Sequence, residues 1–194
     1  ADQDWKDKVI KDIRGKDFEE TLVWEDENGI KHQPYYRKSD VENSDLIEAI
    51  QQAQRQSKDW SILEEKPDFS DSLADGIKSN SKKELNLSAN EILLDLSIYK
   101  TKGATIVTEL ALALHHVLEY MDAFTENGLS AKDASEELCF VLAFGNSYFS
   151  EIAKGRAFRF LVSRLFESFE INPEIKVIGL GSDYYLADKD AHTN

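Results

Sequence analysis

One short stretch of this chain is apolar at every position, and a helical pattern follows it at once. Residues 138–144 contain no charged or hydroxyl side chain, and Gly145 and Asn146 end the run. A strand that is apolar along its whole length is usually covered on both faces, as in a parallel sheet flanked by helices. The stretch therefore predicts one strand–turn–helix unit of an α/β domain.

The helix after this strand is predicted from apolar residues at steps of three and four. These residues are Ile152, Ala153, Ala157, Phe160, Leu161 and Leu165. We expect this face to turn toward a core, and we expect Glu151 and Lys154, three residues apart, to pair on the helix surface. Lys154, Arg156 and Arg159 could together meet a phosphate, although a solvated or interface face is the preferred interpretation.

The same reasoning divides the rest of the chain into elements. Predicted helices cover residues 1–15, 46–56, 104–126 and 130–137. Predicted strands cover residues 91–98 and 176–182, and a turn is expected at 99–104. Nearer the N-terminus, strand-like residues 21–24 and extended residues 30–36 flank a predicted turn at residues 25–29. This turn contains Asn28-Gly29, the dipeptide that most strongly indicates a hairpin.

The composition argues against several classes of function. A chain of 194 residues with 41% hydrophobic residues can bury the core of one domain. Its net charge of −14 argues against nucleic acid or an anionic membrane surface as a partner. No apolar run approaches the roughly 18 residues of a membrane span, and no signal peptide is visible, so a cytoplasmic location is the default expectation.

The single cysteine and the histidines offer no evident site. Cys139 lies in the apolar strand and is interpreted as inert core. The adjacent His115 and His116 would point about 100° apart on one helix, which is a poor arrangement for a shared metal. We therefore expect no metal site, and we interpret Gly179-Leu-Gly181 as the end of a strand rather than as part of a dinucleotide site.

Three segments resemble the methylmalonyl-CoA mutase family. Phe144-Gly-Asn-Ser-Tyr-Phe-Ser-Glu-Ile-Ala-Lys-Gly-Arg-Ala157 is similar to the family's Gly-x-Asn-Phe-Phe-x-Glu-Ile-Ala-Lys-x-Arg-Ala. Residues 94–111 resemble the family's strand that ends in Tyr and leads through Ala-Gly-Ala into a Gln/Glu-Leu-Ala helix. Residues 5–40 resemble the arm that wraps the other subunit of the dimer. The resemblance implies a barrel fold and the rearrangement of methylmalonyl-CoA to succinyl-CoA by radical chemistry on adenosylcobalamin.

The chain departs from the family where the catalytic chains do chemistry. In those chains a His before Ala-Gly-Ala contacts the substrate carbonyl, and that position here is Ile98, which can donate neither a hydrogen bond nor a proton. The family's arginine that meets coenzyme A falls at Glu137, an acid that would repel phosphate. The Asp-x-His-x-x-Gly signature that binds cobalt is also missing from this sequence. The resemblance therefore implies the small, non-catalytic subunit, in a shortened form.

The resemblance also implies an architecture and a partner. We expect an α/β fold in which residues 1–58 form an N-terminal helical and extended arm with a linker helix, used for subunit interaction. Residues 59–194 are expected to form a partial, incomplete TIM (β/α)8-type barrel. Trp24, Tyr35 and Tyr36 are the candidate residues for an interface with the large catalytic subunit, and local packing on their own domain is the alternative.

Several points stay open at this level. No cofactor is expected in this chain itself, and adenosylcobalamin is expected in the complex. Self-association is a further option for the partner. A stand-alone interaction or scaffold protein derived from a mutase barrel is one alternative function, and a reduced acyl-CoA isomerase is another. Residues 67–90 are polar and too few for the several barrel units that the family has at this place. Either these units are omitted from this sequence, or the stretch forms a long loop.

Overall fold

The computed structural model describes residues 2–26, 28–37, 40, 44–55, 74 and 92–181. The chain divides into two compact units, residues 1–44 and 45–194. The predicted boundary between residues 58 and 59 lies outside the described residues, as does the polar stretch 67–90 apart from residue 74. The division predicted at that boundary therefore stays a prediction.

The first unit contains two helices and a small hairpin. Its elements are α1 (Asp2–Asp12), α2 (Phe18–Leu22), β1 (Trp24–Glu25) and β2 (Lys31–His32). The two strands are antiparallel, with Trp24 opposite His32. Gly29 in the connecting turn has φ 75°, a left-handed conformation that glycine adopts without strain. The predicted first helix and the predicted hairpin are both confirmed.

Helix α2 corrects the prediction of a strand-like run at residues 21–24. The Asp17 side chain caps this helix by accepting a hydrogen bond from the Glu20 backbone N–H at 3.0 Å. Glu19 and Glu20 place negative charge in the first turn, where the helix dipole favours it. The strand begins only at Trp24, because the capping signal outweighs the β-propensity of the residues before it.

The second unit alternates helices with strands. Its elements are α3 (Ser44–Arg55), β3 (Ile92–Asp95), α4 (Ser97–Thr101), α5 (Ile106–Glu126), α6 (Ala131–Glu136), β4 (Leu138–Phe144), α7 (Tyr148–Ser168) and β5 (Lys176–Gly181). The predicted helices 46–56, 104–126 and 130–137 and the predicted central strand 138–144 are confirmed. The predicted strand 91–98 is shorter than expected, and the predicted turn 99–104 begins inside α4.

The three strands of this unit form a parallel sheet in the order β3-β4-β5. Leu94 lies opposite Phe140, and Phe140 lies opposite Val177. Six of the seven residues of β4 are buried, whereas every residue of β5 is exposed or half-buried. The parallel α/β arrangement predicted from the apolar strand is therefore confirmed.

A single apolar core joins this sheet to α5 and α7. Its buried members include Leu94 of β3, Phe140 of β4, Val117 and Tyr120 of α5, and Phe158 of α7. Phe140 and Phe158 meet edge to face, with ring centroids 5.4 Å apart, a geometry that aromatic pairs favour. The elements that form this core include residues of the segments 94–111 and 144–157, which show the family resemblance.

The face of α7 that packs on the core is not the one predicted. Its buried residues are Glu151, Lys154, Phe158, Val162, Ser163 and Phe166. Ile152 is 42% exposed and Ala153 is exposed, although both were expected to face inward. Leu161 and Leu165 lie at the margin of the core. Ala157 packs against the core as well, so the prediction was wrong for Ile152 and Ala153. It followed apolar residues only, whereas two charged residues of this helix point inward.

Candidate functional site

The two positions at which the resemblance implies lost catalytic groups lie at opposite ends of the strands. Ile98 is 2% exposed and lies in α4, beyond the carboxyl end of β3. Glu137 directly precedes β4, and its backbone carbonyl accepts a hydrogen bond from the Ile92 N–H at 2.8 Å. The paired register of β3 and β4 covers four residues, which separates the two ends by roughly 13 Å. The structure thus does not bring Ile98 and Glu137 together.

Glu137 also has a buried carboxylate oxygen that has no hydrogen-bond partner among the described residues. The residue is half-buried, and its Oε2 makes no hydrogen bond to the residues that the structure describes. An unpaired acidic oxygen at this position repels an anion rather than binding it. The charge at Glu137 is therefore the opposite of what a phosphate-binding arginine would supply.

The most developed polar arrangement in the second unit is centred on Lys154. Its ammonium donates to Glu109 Oε2 at 3.1 Å, contacts Glu151 Oε2 at 2.6 Å and donates to the backbone carbonyl of Ala143. The side chains of Lys154 and Glu109 are both 0% exposed. Glu151 and Lys154 do pair, but they do so in the interior, which corrects the predicted surface pair.

A second lysine completes this arrangement. Lys100 Nζ lies 3.0 Å from Glu151 Oε1, and both side chains are 5% exposed. We call the four residues Lys100, Glu109, Glu151 and Lys154 the charge network. Two positive and two negative groups give it no net charge. It links α4, α5, β4 and α7 at the carboxyl end of β4, the edge of a parallel sheet at which α/β proteins carry their sites.

The two carboxyl groups of the network differ in acidity. Burial raises the pKa of Glu109, and the attraction of Lys154 opposes this rise only in part. Burial acts in the same sense on Glu151, but hydrogen bonds from Lys154 and Lys100 outweigh it and leave the pKa of Glu151 lowered. The difference follows from the contacts, because Glu151 touches both lysines and Glu109 touches only Lys154. An ammonium enclosed in this way presents no proton or charge to a ligand.

The two arginines that follow Lys154 line a cleft between α7 and β5. The cleft has a volume of about 420 Å³ and is lined by Phe144, Glu151, Ile152, Gly155, Arg156, Arg159, Val177 and Gly179. Arg159 is half-buried and donates to the Ile175 carbonyl at 3.1 Å, and burial lowers the pKa of its guanidinium. The three basic residues therefore do not form one phosphate-binding face, because Lys154 is enclosed.

The candidate interface residues of the first unit are exposed. Trp24 is 58%, Tyr35 is 56% and Tyr36 is 55% exposed. Tyr35 also packs against Trp5, with ring centroids 5.5 Å apart. Ile30 in the hairpin is a further exposed apolar residue, at 48%. Aromatic residues that remain exposed within their own unit are available for contact with a partner.

An acidic side chain organises the hairpin that carries Trp24. Asp26 Oδ1 accepts hydrogen bonds from the backbone N–H groups of Asn28 at 2.9 Å and Ile30 at 3.0 Å. Its Oδ2 lies 3.0 Å from His32 Nε2, and the His32 ring stacks on Trp24 with centroids 4.3 Å apart. The His32 contact and the backbone hydrogen bonds lower the pKa of Asp26 to about 2.

The histidines within the described residues take part in local contacts. His116 is 2% exposed, and its Nδ1 lies 3.0 Å from the Tyr99 hydroxyl, while His115 is exposed on α5. Among the residues that the structure describes, no group of three or more His, Cys, Asp or Glu side chains could hold a metal ion. In the same residues, no helix is long and apolar enough to cross a membrane.

Analysis of the sequence did not find Lys100 and Glu109 as members of the charge network. A signal for Glu109 does exist, because it lies between Ile106 and Ala113 on the buried side of α5, where a charge needs a partner. The partner, Lys154, is 45 residues away. Nothing in the local pattern connects the two.

Comparisons with known proteins find similarity to one family. The family model described as methylmalonyl-CoA mutase matches residues 71–194. A methylmalonyl-CoA mutase of Rhizobium meliloti (strain 1021) is 41% identical over 68 residues, covering 35% of this chain and 10% of that protein. A probable methylmalonyl-CoA mutase small subunit of Mycobacterium bovis is 37% identical over 76 residues, covering 39% and 12%. A methylmalonyl-CoA mutase large subunit of Streptomyces virginiae is 40% identical over 68 residues, covering 35% and 9%. The matched stretch is thus about a tenth of the length of each relative.

Proposed function

The chain belongs to the methylmalonyl-CoA mutase family, and we propose that it acts as a small, non-catalytic subunit of a cobalamin-dependent methylmalonyl-CoA mutase. In this proposal a large subunit carries the isomerisation of methylmalonyl-CoA to succinyl-CoA and holds adenosylcobalamin, and the complex is cytoplasmic. The chain itself contributes structure and subunit contacts. A relative named as a small subunit and another named as a large subunit both match the chain, which supports a partner of the second kind.

The observation that carries the proposal is the environment of Ile98. The position at which the resemblance implies a substrate-contacting His is an isoleucine, 2% exposed, within a short helix of the core. An aliphatic side chain there can neither polarise a carbonyl nor move a proton. The charge network beside it is enclosed and balanced, so it cannot replace that group. Glu137 supports the same conclusion, because it places an acidic side chain where the binding of coenzyme A would need a basic one.

We propose that the second unit is part of a (β/α)8-type barrel. Its parallel strands neighbour each other in chain order and are joined through helices, which is the repeat of such a barrel. Within the described residues β3 and β5 each pair on one side only, and β5 is largely accessible to solvent. An open sheet of three strands leaves two edges that further strands or another chain would cover.

We propose that the N-terminal region up to residue 58 is an arm that binds the large subunit through Trp24, Tyr35 and Tyr36. Their exposure supports this assignment, since aromatic residues at the centre of an interface are often the main source of its affinity. Two of the histidines in the described residues are engaged within their own units, by Asp26 and by Tyr99. In this proposal neither of these two rings ligates cobalt, and cobalamin is held by the partner.

Reconstitution tests the proposal. The chain is mixed with the mutase large subunit from the same source, the mixture is separated by size exclusion, and isomerisation is assayed with adenosylcobalamin. We expect co-elution and activity only when the large subunit is present. The triple variant Trp24→Ala/Tyr35→Ala/Tyr36→Ala should weaken association by at least about tenfold, since each truncated interface aromatic commonly costs 1 kcal/mol or more.

The matched control is Tyr148→Ala/Phe149→Ala, which removes exposed aromatic residues from the second unit and should leave association unchanged. A chain that stays monomeric in the presence of the large subunit would overturn the subunit assignment and favour a stand-alone interaction protein. Isomerisation or acyl-CoA binding by the isolated chain would instead favour a reduced acyl-CoA isomerase.

A further inference from the structure

In the first half of α7 the apolar side faces solvent and the charged side faces the core. Phe149 is 82% and Ile152 is 42% exposed, and Ala153 is exposed as well. The side of the same turns that faces the core carries Glu151 and Lys154. The apolar residues of this half would by themselves favour a helix rotated by roughly a third of a turn or more from the one observed. Some other interaction must therefore hold the charged side inward.

The second half of α7 has the ordinary polarity. Phe158, Val162 and Phe166 are buried, and Arg164 and Glu167 pair in solvent. The apolar residues of the two halves of this helix consequently favour different inward faces. Apolar burial in the second half favours the observed rotation, while the first half opposes it, so hydrophobicity alone does not select one arrangement.

The contacts of Lys154 favour the observed rotation of α7 over neighbouring rotations. The Lys154 ammonium donates hydrogen bonds to Glu109 on α5 and Ala143 on β4, and it forms an ion pair with Glu151 on its own helix. A shift of one residue turns the side chain by about 100° and removes it from the first two acceptors. A buried charge without its partners is strongly unfavourable, so neighbouring rotations are penalised.

Glu151 provides further contacts that fix the rotation of α7. Its Oε1 meets Lys100 on α4 at 3.0 Å, while its Oε2 meets Lys154 at 2.6 Å. The network therefore ties α7 to α4, α5 and β4 through directional contacts whose charges balance. Replacing a buried ionic group by apolar residues is often neutral or favourable for stability, so its value here lies in choosing between arrangements.

We propose that the charge network of Lys100, Glu109, Glu151 and Lys154 selects the rotation of α7 on the sheet, against the preference of the apolar residues in the first half of that helix. This inference concerns the fold of the chain and is independent of the proposed subunit function.

The test replaces the charges of the network in the full chain by neutral polar groups, so that the inward side of α7 gains no apolar residue. The variant is Lys100→Gln/Glu109→Gln/Glu151→Gln/Lys154→Gln. Two reporter substitutions are added in separate proteins, Ile152→Cys on the exposed face and Val162→Cys on the buried face. Thiol labelling of each site is followed by mass spectrometry. The native Cys139, which is buried, reports general opening of the core in the same samples.

With the network intact we expect Ile152→Cys to label fast and Val162→Cys to be protected. Without it we expect labelling of Val162→Cys to rise and that of Ile152→Cys to fall by about tenfold or more, while Cys139 stays protected and the helical far-UV signal persists. The matched control is Arg164→Gln/Glu167→Gln, which removes the exposed pair of the same helix and should not alter the labelling pattern.

An unchanged labelling pattern in the network-free chain would overturn the proposal. If that chain does not fold, the milder variant Glu109→Gln/Lys154→Gln is measured in its place and judged by the same labelling ratio. Loss of the helical signal in both variants would also overturn the proposal, because the network would then be needed for stability rather than for choosing the rotation of α7.

Discussion

Two polar centres among the described residues, one in each unit, differ in their access to water. In the second unit, Lys154 and Glu109 have side chains that are 0% exposed and contact one another at 3.1 Å. In the first unit, Asp26 and His32 lie at a similar distance of 3.0 Å, but their side chains are 15% and 31% exposed. Similar distances therefore occur in two quite different dielectric environments.

The pKa directions show what this difference does. The pKa of Asp26 is lowered to about 2, because its hydrogen bonds favour the charged form and burial opposes them little. The pKa of Glu109 is raised, because burial disfavours its charged form more than Lys154 favours it. A buried ionic centre thus depends on the presence of every partner, whereas an exposed one is buffered by solvent.

The largest effect is expected from removing the centre of the buried network. Lys154→Ala leaves Glu109 and Glu151 in the interior with only Lys100 to compensate them. We expect the free energy of unfolding to fall by about 3–5 kcal/mol, as when one partner of a buried pair is removed. Urea denaturation followed by far-UV circular dichroism measures the loss.

The control for this variant is Arg164→Ala on the same helix. Its pair with Glu167 is 2.7 Å long and more than half exposed on both sides. Surface pairs contribute about 0–1 kcal/mol, so the midpoint should hardly move. Equal losses in the two variants would contradict the distinction between buried and exposed ionic centres in this protein.

A smaller and unequal effect is expected from the two carboxyl groups of the network. Glu151→Gln removes a carboxylate that touches both lysines and should cost about 2–3 kcal/mol at pH 7. Glu109→Gln leaves both lysines in contact with Glu151 and should cost about 1 kcal/mol. Paired denaturation curves of the two variants provide the measurement, and a more harmful Glu109→Gln would contradict the prediction.

The pH dependence of these two variants follows from the opposite shifts in pKa. A lowered pKa means that the contribution of Glu151 to stability is present above its unfolded value of 4.5 and is lost as pH falls through the folded pKa. The deficit of Glu151→Gln should therefore shrink in acid. A raised pKa means that native Glu109 binds its proton more tightly than the unfolded chain does. The deficit of Glu109→Gln should consequently grow as pH falls toward 4.5.

The elements that could be predicted from the sequence are those fixed by local pattern. The central strand 138–144 follows from an unbroken apolar run, and helix α5 follows from a long apolar stripe ended by Gly128, whose φ is 93°. The parallel sheet follows in turn, because a strand buried on both faces needs neighbours and covering helices. The prediction of a turn that contains Asn28-Gly29 was likewise correct. The positive φ of Gly29 is a local property that the presence of glycine indicates.

The inward face of α7 and the charge network could not be obtained in this way. Apolar periodicity assigns the core side of a helix only when charged residues stay outside, and Glu151 and Lys154 are inside. Their burial depends on Glu109 and Lys100, which lie on other elements and gain meaning only after the chain folds. Helix α2 was missed for a different reason, because the Asp17 cap was not weighed against the β-propensity of the residues that follow it.

At the exposed centre, the change Asp26→Ala should act locally. It removes the acceptor of the Asn28 and Ile30 N–H groups and the partner of His32. We expect amide hydrogen exchange in residues 28–32 to become faster by about tenfold, while the urea midpoint of the second unit stays unchanged. Exchange followed by mass spectrometry separates the two regions, and a loss of protection that extends into β4 would show that the effect is not local.

The smallest effect is expected from acid acting on the same hairpin. Because the pKa of Asp26 is lowered from 3.8 to about 2, its stabilising contribution is present above 3.8 and is lost as pH falls toward 2. Emission from Trp24, which stacks on His32, should therefore stay constant between pH 5 and 4 and change below that range. The measurement uses the background Trp5→Phe/Trp60→Phe, in which Trp24 is the only remaining tryptophan. In Asp26→Asn the step below pH 4 should disappear, and a step that persists there would assign it to another carboxyl group.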